Sequence, residues 1–253
     1  MYLVIGPGGL GFFAFLGALS AIGLENVDEV SGSSAGALLG LFICCGKTIE
    51  EIVAFCFSVD IKELSKISVM SLISRFGLIP HAPIKKILKE FCGDVKFRDL
   101  PKKLHVTSFC VNKCETEYFS VDNVPDMSVI DAVCMSISVP FLFEAIKYNG
   151  FTYIDGGTRE CNPDLAFINK NPSDVLILTR ENHRKHCEIH NFKDFIMALV
   201  GVAVESGVKG MTNVKTITID FNAFDFNMFD FSIGTEEKMK FFTAGYNAVF
   251  LCV

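Results

Sequence analysis

Five consecutive small residues, Gly32-Ser33-Ser34-Ala35-Gly36, constrain this chain more than any other stretch. They follow Val27-Asp28-Glu29-Val30, a short run with strand character. They precede Ala37 to Ile43, an apolar run without alternation that reads as a buried helix. A G-x-S-x-G between a strand and a helix is the nucleophile-elbow pattern. The turn is tight enough to require small flanking residues, here Gly32 and Gly36. The middle serine is lifted above the sheet edge, with the positive end of the following helix dipole behind it. Ser34 is therefore the candidate nucleophile. Because the pattern also occurs in ordinary Gly/Ser loops, the rest of the chain must supply a base and oxyanion donors.

The N-terminus supplies a second glycine-rich turn. Tyr2-Leu3-Val4-Ile5 is a wholly apolar strand of the kind buried on both faces of a parallel sheet. It runs into Gly6-Pro7-Gly8-Gly9-Leu10-Gly11 and then a helical stretch from Phe12 to Ala21. This strand-helix-strand-helix opening predicts an α/β fold around a parallel sheet. The glycines have two meanings. Gly6, Gly8 and Gly11 satisfy the dinucleotide fingerprint G-x-G-x-x-G, with Glu25, Asp28 and Glu29 as ribose candidates. Alternatively, their amides form an oxyanion hole, since glycine lets backbone N–H groups approach a ligand unhindered. The glycines alone do not choose. Ser34 favours the second meaning, because a dinucleotide site has no use for a nucleophile elbow after its second strand. A phosphate loop at Gly46-Lys47-Thr48 fails on spacing, since the required earlier glycine falls on Leu41.

Composition narrows the class. Half of the 253 residues are hydrophobic, and the mean hydropathy is +0.40. No apolar run approaches the ~18 residues of a spanning helix. The start of the chain lacks the pattern of a secretory signal, so a cytoplasmic protein with transient membrane contact is expected. The formal net charge of −6 argues against a nucleic-acid partner. The ten cysteines are dispersed and mostly in apolar contexts, which predicts reduced thiols rather than zinc or disulfides. No linker or repeat divides the chain, and one domain over residues 1–253 is expected.

Beyond the elbow, Thr48 to Phe57 and Ile61 to Arg75 read as amphipathic helices. Leu78 to Pro83 breaks the pattern, and Ile84 to Phe91 resumes it. Residues 48–92 form either a solvated helical layer or a cap that brings Val69, Met70, Leu72 and Ile73 to an acyl chain. His81, beside prolines, reads as a turn residue. Leu104 to Phe109 and Tyr118 to Val121 read as strands, and Val129 to Met135 as a short helix. Lys147 to Ile154 is a hairpin with Asn149-Gly150 at its tip, delivering Asp155-Gly156-Gly157 at a strand end. That acid, flanked by exposed backbone, is the candidate base, with an Asx turn as the structural alternative. Asn162-Pro163 opens another helix. A strand is expected over 174–179, a helix over 194–207, a strand over 214–221 and a helix over 236–250. His183, His186 and His190 follow Ser34 and Asp155, so a Ser-Asp-His order exists, and with Cys187 they offer metal ligands. Their polar surroundings favour a solvated loop. Phe224, Phe226, Phe229 and Phe231 alternate with acids and suggest a strand pair, or rings that meet lipid.

Taken together, these pieces resemble the patatin-like phospholipases. The matching residues are Gly8-Gly9 with Gly17-Ala18-Leu19 in the helix, Gly32 to Ala37, Ser138-Val139-Pro140-Phe141, and Tyr153-Ile154-Asp155-Gly156-Gly157 leading to Asn162-Pro163. The resemblance implies a three-layer sandwich and a Ser–Asp dyad. In it Ser34 is the nucleophile, Asp155 the base, and the amides of Gly8, Gly9 and Ala35 the oxyanion hole. It implies phospholipid or lysophospholipid esters as substrates, at a membrane or micelle surface, with no cofactor, metal or catalytic histidine. Calcium-independent hydrolysis is expected. The family's glycine loop carries Arg or Lys and then Gly where this chain has Gly11 and Phe12, and Pro7 replaces a further glycine. Two other readings stand beside hydrolysis: a dinucleotide-binding enzyme and a catalytically silent lipid-binding relative.

Overall fold

A computed structural model describes residues 1–181, 189–190, 195, 198, 210–221 and 231–251. The described strands are β1 (Tyr2–Ile5), β2 (Glu29–Ser33), β3 (Gly77–Ile79), β4 (Lys103–Cys110), β5 (Glu115–Phe119), β6 (Phe141–Phe143), β7 (Ile146–Tyr148), β8 (Phe151–Asp155), β9 (Val175–Glu181) and β10 (Lys215–Asp220). The helices are α1 (Phe12–Ile22), α2 (Ala35–Cys44), α3 (Ile49–Ser58), α4 (Ile61–Leu64), α5 (Val69–Arg75), α6 (Ala82–Cys92), α7 (Val129–Ser136) and α8 (Thr235–Leu251).

Eight strands form one mixed sheet in the order β10-β9-β1-β2-β4-β8-β7, with β5 also paired to β4. The run β10-β9-β1-β2-β4 is parallel, whereas β5, β7 and β8 are antiparallel additions. Helices cover both sides, giving the expected α/β sandwich. Strand β1 shows how the two layers are sorted. Leu3 and Ile5 point into a large core shared with α1, α2, α7 and α8. Val4 points the other way, onto Phe167 of the short 3-10 helix Asp164–Phe167 and onto Ile177. All three are fully buried, which is why this strand is apolar throughout rather than alternating.

Two departures from the sequence reading lie in the cap region. Ile61 to Arg75 is not one helix but α4 and α5, separated at Ser65 to Ser68. Asp60 accepts N–H bonds at the start of α4, and Ser68 accepts one from Ser71 at the start of α5. Each helix thus has its own N-cap, which apolar periodicity does not register. The segment after α5 is not merely a break. Gly77–Ile79 pairs in parallel with Phe141–Phe143 as a separate two-stranded sheet. The Asn162-Pro163 start leads to the 3-10 turn Asp164–Phe167 rather than a regular helix. The predicted helix over 194–207, and Phe224, Phe226 and Phe229, lie largely outside the described residues. Phe231 sits in a turn, not a strand.

Candidate active site

Strand β4 brings the two candidate side chains together. Its first half pairs with β2, ending with Ser33 opposite Thr107. Its second half pairs with β8, beginning with Asp155 opposite Ser108. Because β5 occupies the other edge of β4, β2 and β8 share one edge and meet tip to tip. The last residue of one strand and the elbow after the other are thus placed at successive positions of a single strand.

At the elbow Ser34 has φ 53° and ψ −119°, a sparsely populated conformation for a residue with a side chain. Both flanking glycines are obligatory. A Cβ on Gly36 would lie 2.0 Å from the Ile5 carbonyl oxygen, and one on Gly32 would lie 2.5 Å from the Gly36 backbone. The Ser34 N–H donates to Ser136 Oγ at 2.8 Å, which helps hold the turn. From this position Ser34 Oγ donates to Asp155 Oδ2 at 2.6 Å. The other carboxylate oxygen, Oδ1, accepts from the Gly157 N–H at 2.7 Å, and the Asp155 N–H donates to the Ser138 carbonyl at 2.9 Å. Gly156 and Gly157 are needed for packing. Their Cβ atoms would fall 2.4 Å from the Thr107 carbonyl oxygen and 2.6 Å from Pro7 Cβ.

Ser34 and Asp155 are 7% and 3% exposed. Burial pushes the Asp155 carboxyl up to about 7, against the opposing hydrogen bonds from Ser34 and Gly157 and the positive charge of Arg180. A carboxylate at that value is a far stronger base than one in water.

The glycine turn is the third part. Ala35 is the first residue of α2 and Gly9 the first of the 3-10 turn Gly9–Gly11, so neither amide has an acceptor within its own helix. Both line the same cavity as Ser34. Gly9 has φ 52°, again a glycine conformation. Gly8 backs onto Phe15, its notional Cβ 2.7 Å from the ring, and does not line the cavity. Arg180, at the end of β9, donates from Nε to the Pro7 carbonyl at 3.0 Å. A cation thus reaches the glycine turn from a distant strand, although positions 11 and 12 within the turn supply none.

The cavity holds about 930 Å³ of unfilled space, part of it open to solvent, and its walls are almost wholly apolar. Phe12, Leu38, Phe55, Ile84, Leu88 and Phe231 are among its lining residues. The cap contributes through α3, α4 and α6, not through the side chains expected to do so. Val69, Met70 and Ile73 are exposed and, with Leu72, do not line the cavity. Val69, Met70 and Ile73 of α5 thus face solvent, as the solvated-layer reading of 48–92 has them, since a short amphipathic helix does not declare which side its partners occupy.

The remaining candidates lie elsewhere. His81 stands in the turn before α6, as its fully buried N-cap. Its Nε2 is 2.9 Å from Ser138 Oγ and 3.0 Å from the Glu144 carbonyl. Burial depresses its pKa to about 4 despite nearby Glu144, so the ring is neutral. Of the ribose candidates, Asp28 pairs with the N-terminal amine at 2.5 Å. Glu29 pairs with His105 and Lys170. His183, His186 and Cys187 lie outside the described residues. Among the described residues no group of three His, Cys, Asp or Glu is placed to hold a metal ion. Sequence reasoning missed Ser136 and Arg180. The alternation Ser136-Ile137-Ser138 before Pro140 was the available signal for the first; nothing local marks the second.

Solved structures share this fold. The chain is similar to VipD from Legionella pneumophila, with a TM-score of 0.69 at 18% identity over 99% of this chain and 66% of that one. It is also similar to the type III effector ExoU of Pseudomonas aeruginosa, with a TM-score of 0.57 at 18% identity over 99% of this chain and 52% of that one. The chain therefore spans between half and two thirds of those longer proteins, and at such identity the likeness is one of fold. Sequence carries the assignment further. The model of the patatin-like phospholipase family matches residues 3–168, and the chain belongs to that family of lipid hydrolases. Among similar sequences are R571 of Acanthamoeba polyphaga mimivirus, 27% identical over 78% of this chain and 73% of its own. A second is 463L of Invertebrate iridescent virus 6, described as a probable lipid hydrolase, 28% identical over 69% and 68%.

Proposed function

We propose that the protein is a phospholipase A or lysophospholipase that cleaves fatty-acyl esters through a Ser34 acyl-enzyme, with Asp155 as base. The observation carrying this reading is the 2.6 Å hydrogen bond from Ser34 Oγ to a buried Asp155 carboxylate beside an apolar cavity. Asp155 takes the Oγ proton as Oγ adds to the ester carbonyl. Amides of Gly9 in the glycine turn and of Ala35 hold the alkoxide, each donor worth ~3 kcal/mol in the transition state; Gly8, expected as a third donor, lies outside the cavity wall. Collapse breaks the ester C–O bond, and the proton on Asp155 passes to the leaving alcohol. Water then gives a proton to Asp155 and attacks the acyl carbon, releasing the fatty acid and returning the proton to Oγ. No step calls on a metal, a nucleotide or a histidine. Arg180 keeps the glycine turn in place through the Pro7 carbonyl.

The test is labelling by a serine-directed fluorophosphonate, followed on wild type, Ser34→Ala and Asp155→Asn. Wild type should label, Ser34→Ala should not, and Asp155→Asn should label at least ~100-fold more slowly, the usual contribution of a positioned base. Labelling of Ser34→Ala at the wild-type rate would exclude Ser34 as nucleophile. A wild type that binds phospholipid yet refuses the probe would make the protein the silent lipid-binding relative.

A further inference from the structure

Two thiols meet at the base of the cap. Cys45 is the C-cap of α2, and Cys92 is the last residue of α6. Their side chains hydrogen-bond each other, although the whole cap separates them in the chain. Both are partly exposed, with a solvent access that buried Cys44, Cys56, Cys110 and Cys134 lack. Aromatic packing fixes the junction. Phe91, next to Cys92, stacks on Phe55 of α3 with centroids 4.0 Å apart and stands edge-on to Phe42 of α2 at 5.3 Å. Lys47 Nζ lies 4.8 Å from the centre of the Phe91 ring. The two helix ends are thus held side by side by contacts that do not involve sulfur.

The two thiols are not equivalent. The Cys92 hydrogen bond, and after it the charge of Lys47, hold the Cys45 thiol below its ordinary value against the effect of burial. The same hydrogen bond and burial push Cys92 up. Cys45 is therefore the better nucleophile and Cys92 the resolving partner. Cys44, next in the chain, does not compete. It is fully buried, burial pushes its thiol far up, and its Sγ points to the Lys103 carbonyl at 3.6 Å.

Placement gives the pair a use. The chain between the two cysteines carries α3, α4, α5 and nearly all of α6, which is the cap itself. From α2, Leu38 and Phe42 line the cavity, and from α6, Ile84, Ile87 and Leu88 do so. A bond between Cys45 and Cys92 closes the cap into a loop at its base and ties those two walls together.

We propose that Cys45 and Cys92 are a redox site at which a small-molecule disulfide, such as oxidised glutathione, forms a reversible bridge that staples the cap to α2. The Cys45 thiolate attacks one sulfur of glutathione disulfide and expels a glutathione thiolate. Cys92, deprotonated in turn, attacks the Cys45 sulfur and expels the second. Two protein thiols are oxidised to one disulfide, one glutathione disulfide is reduced to two glutathiones, and the two thiol protons pass to them. The site goes beyond the acyl-hydrolase reading and does not depend on it.

The test is incubation of the full chain with excess oxidised glutathione, blocking of the remaining thiols, and mapping of cross-linked peptides by mass spectrometry. Wild type should yield a Cys45–Cys92 cross-link that dithiothreitol removes and that Cys45→Ser and Cys92→Ser each abolish. Oxidised wild type should unfold at a urea midpoint at least ~1 M above that of the reduced protein, as closure of a loop this long predicts. Neither serine variant should show that shift, and their reduced unfolding curves report that they are folded. Glutathione adducts without a Cys45–Cys92 cross-link, or a cross-link that leaves the midpoint unmoved, overturns the staple. Fluorophosphonate labelling of Ser34 in the same samples reads the hydrolase separately, so its failure leaves the bridge standing.

Discussion

The electrostatics of Asp155 link stability to rate. Its carboxyl is raised by burial from 3.8 to about 7, so the folded state favours the protonated form. Between those values, rising pH costs the folded protein stability that a neutral side chain would keep, on the order of 4 kcal/mol once both are passed. The stability of Asp155→Asn relative to wild type should therefore increase by roughly that amount from about pH 4 to about pH 8, as read by urea unfolding. Over the same range the wild-type kcat/KM should rise along a limb centred near 7, because only the ionised carboxylate accepts the Ser34 proton. A flat profile through neutrality would contradict the role given to Asp155. At this scale the sequence was most informative where backbone demands are severe. Gly32, Gly36, Gly156 and Gly157 all stand where a Cβ would strike backbone or a proline ring, and such positions leave a visible mark. Ser136 left only the faint alternation Ser136-Ile137-Ser138 and Arg180 none, because each bonds a backbone group far away in the chain.

Among the elements, the crossing of α1 and α8 shows how small residues set packing. A Cβ on Gly245 would lie 1.7 Å from the Ala14 carbonyl oxygen, and one on Gly17 would lie 1.9 Å from that of Phe242. The two backbones are in contact, and no rotamer change relieves a Cβ placed between them. Gly245→Ala should cost about 3 kcal/mol in urea unfolding, whereas Thr243→Ala on the exposed side should stay within ~0.5 kcal/mol. If both variants unfold alike, the helices do not approach as described. Gly17 was visible as a small residue in an apolar helix, yet the partner that makes it necessary lies more than two hundred residues away. The same limit explains the cap. Periodicity located α3 and α6, but it joined α4 to α5 and left the side faced by α5 open, because N-caps and tertiary neighbours decided both matters. The hairpin of β7 and β8 was legible because Asn149-Gly150 fixes its own turn, with positive φ at both residues.

At the scale of the molecule, charge is unevenly distributed. The cap segment 61–92 is basic in sequence, although the chain as a whole is acidic, and most of its cations meet acids of this same chain: Lys66 with Glu63, Arg75 with Glu144, Lys85 with Asp131 and Lys89 with Asp94. Among the described residues no helix is long and apolar enough to cross a membrane. The α/β layering was legible from the opening strands and turns, whereas the antiparallel additions at β5, β7 and β8 depend on pairing partners that a single chain does not announce.

Strand β4 carries a consequence of its own. Because β2 and β8 abut along one of its edges, the gap between hydroxyl and carboxylate is counted in whole residues of a third strand. A slip of β8 by one position would displace Asp155 by roughly 3.3 Å and turn its side chain to the opposite face. The pairing is therefore digital: it is either in step or broken. Loops, cap and surface can diverge freely around such a junction, provided neither strand gains or loses a single residue before it ends.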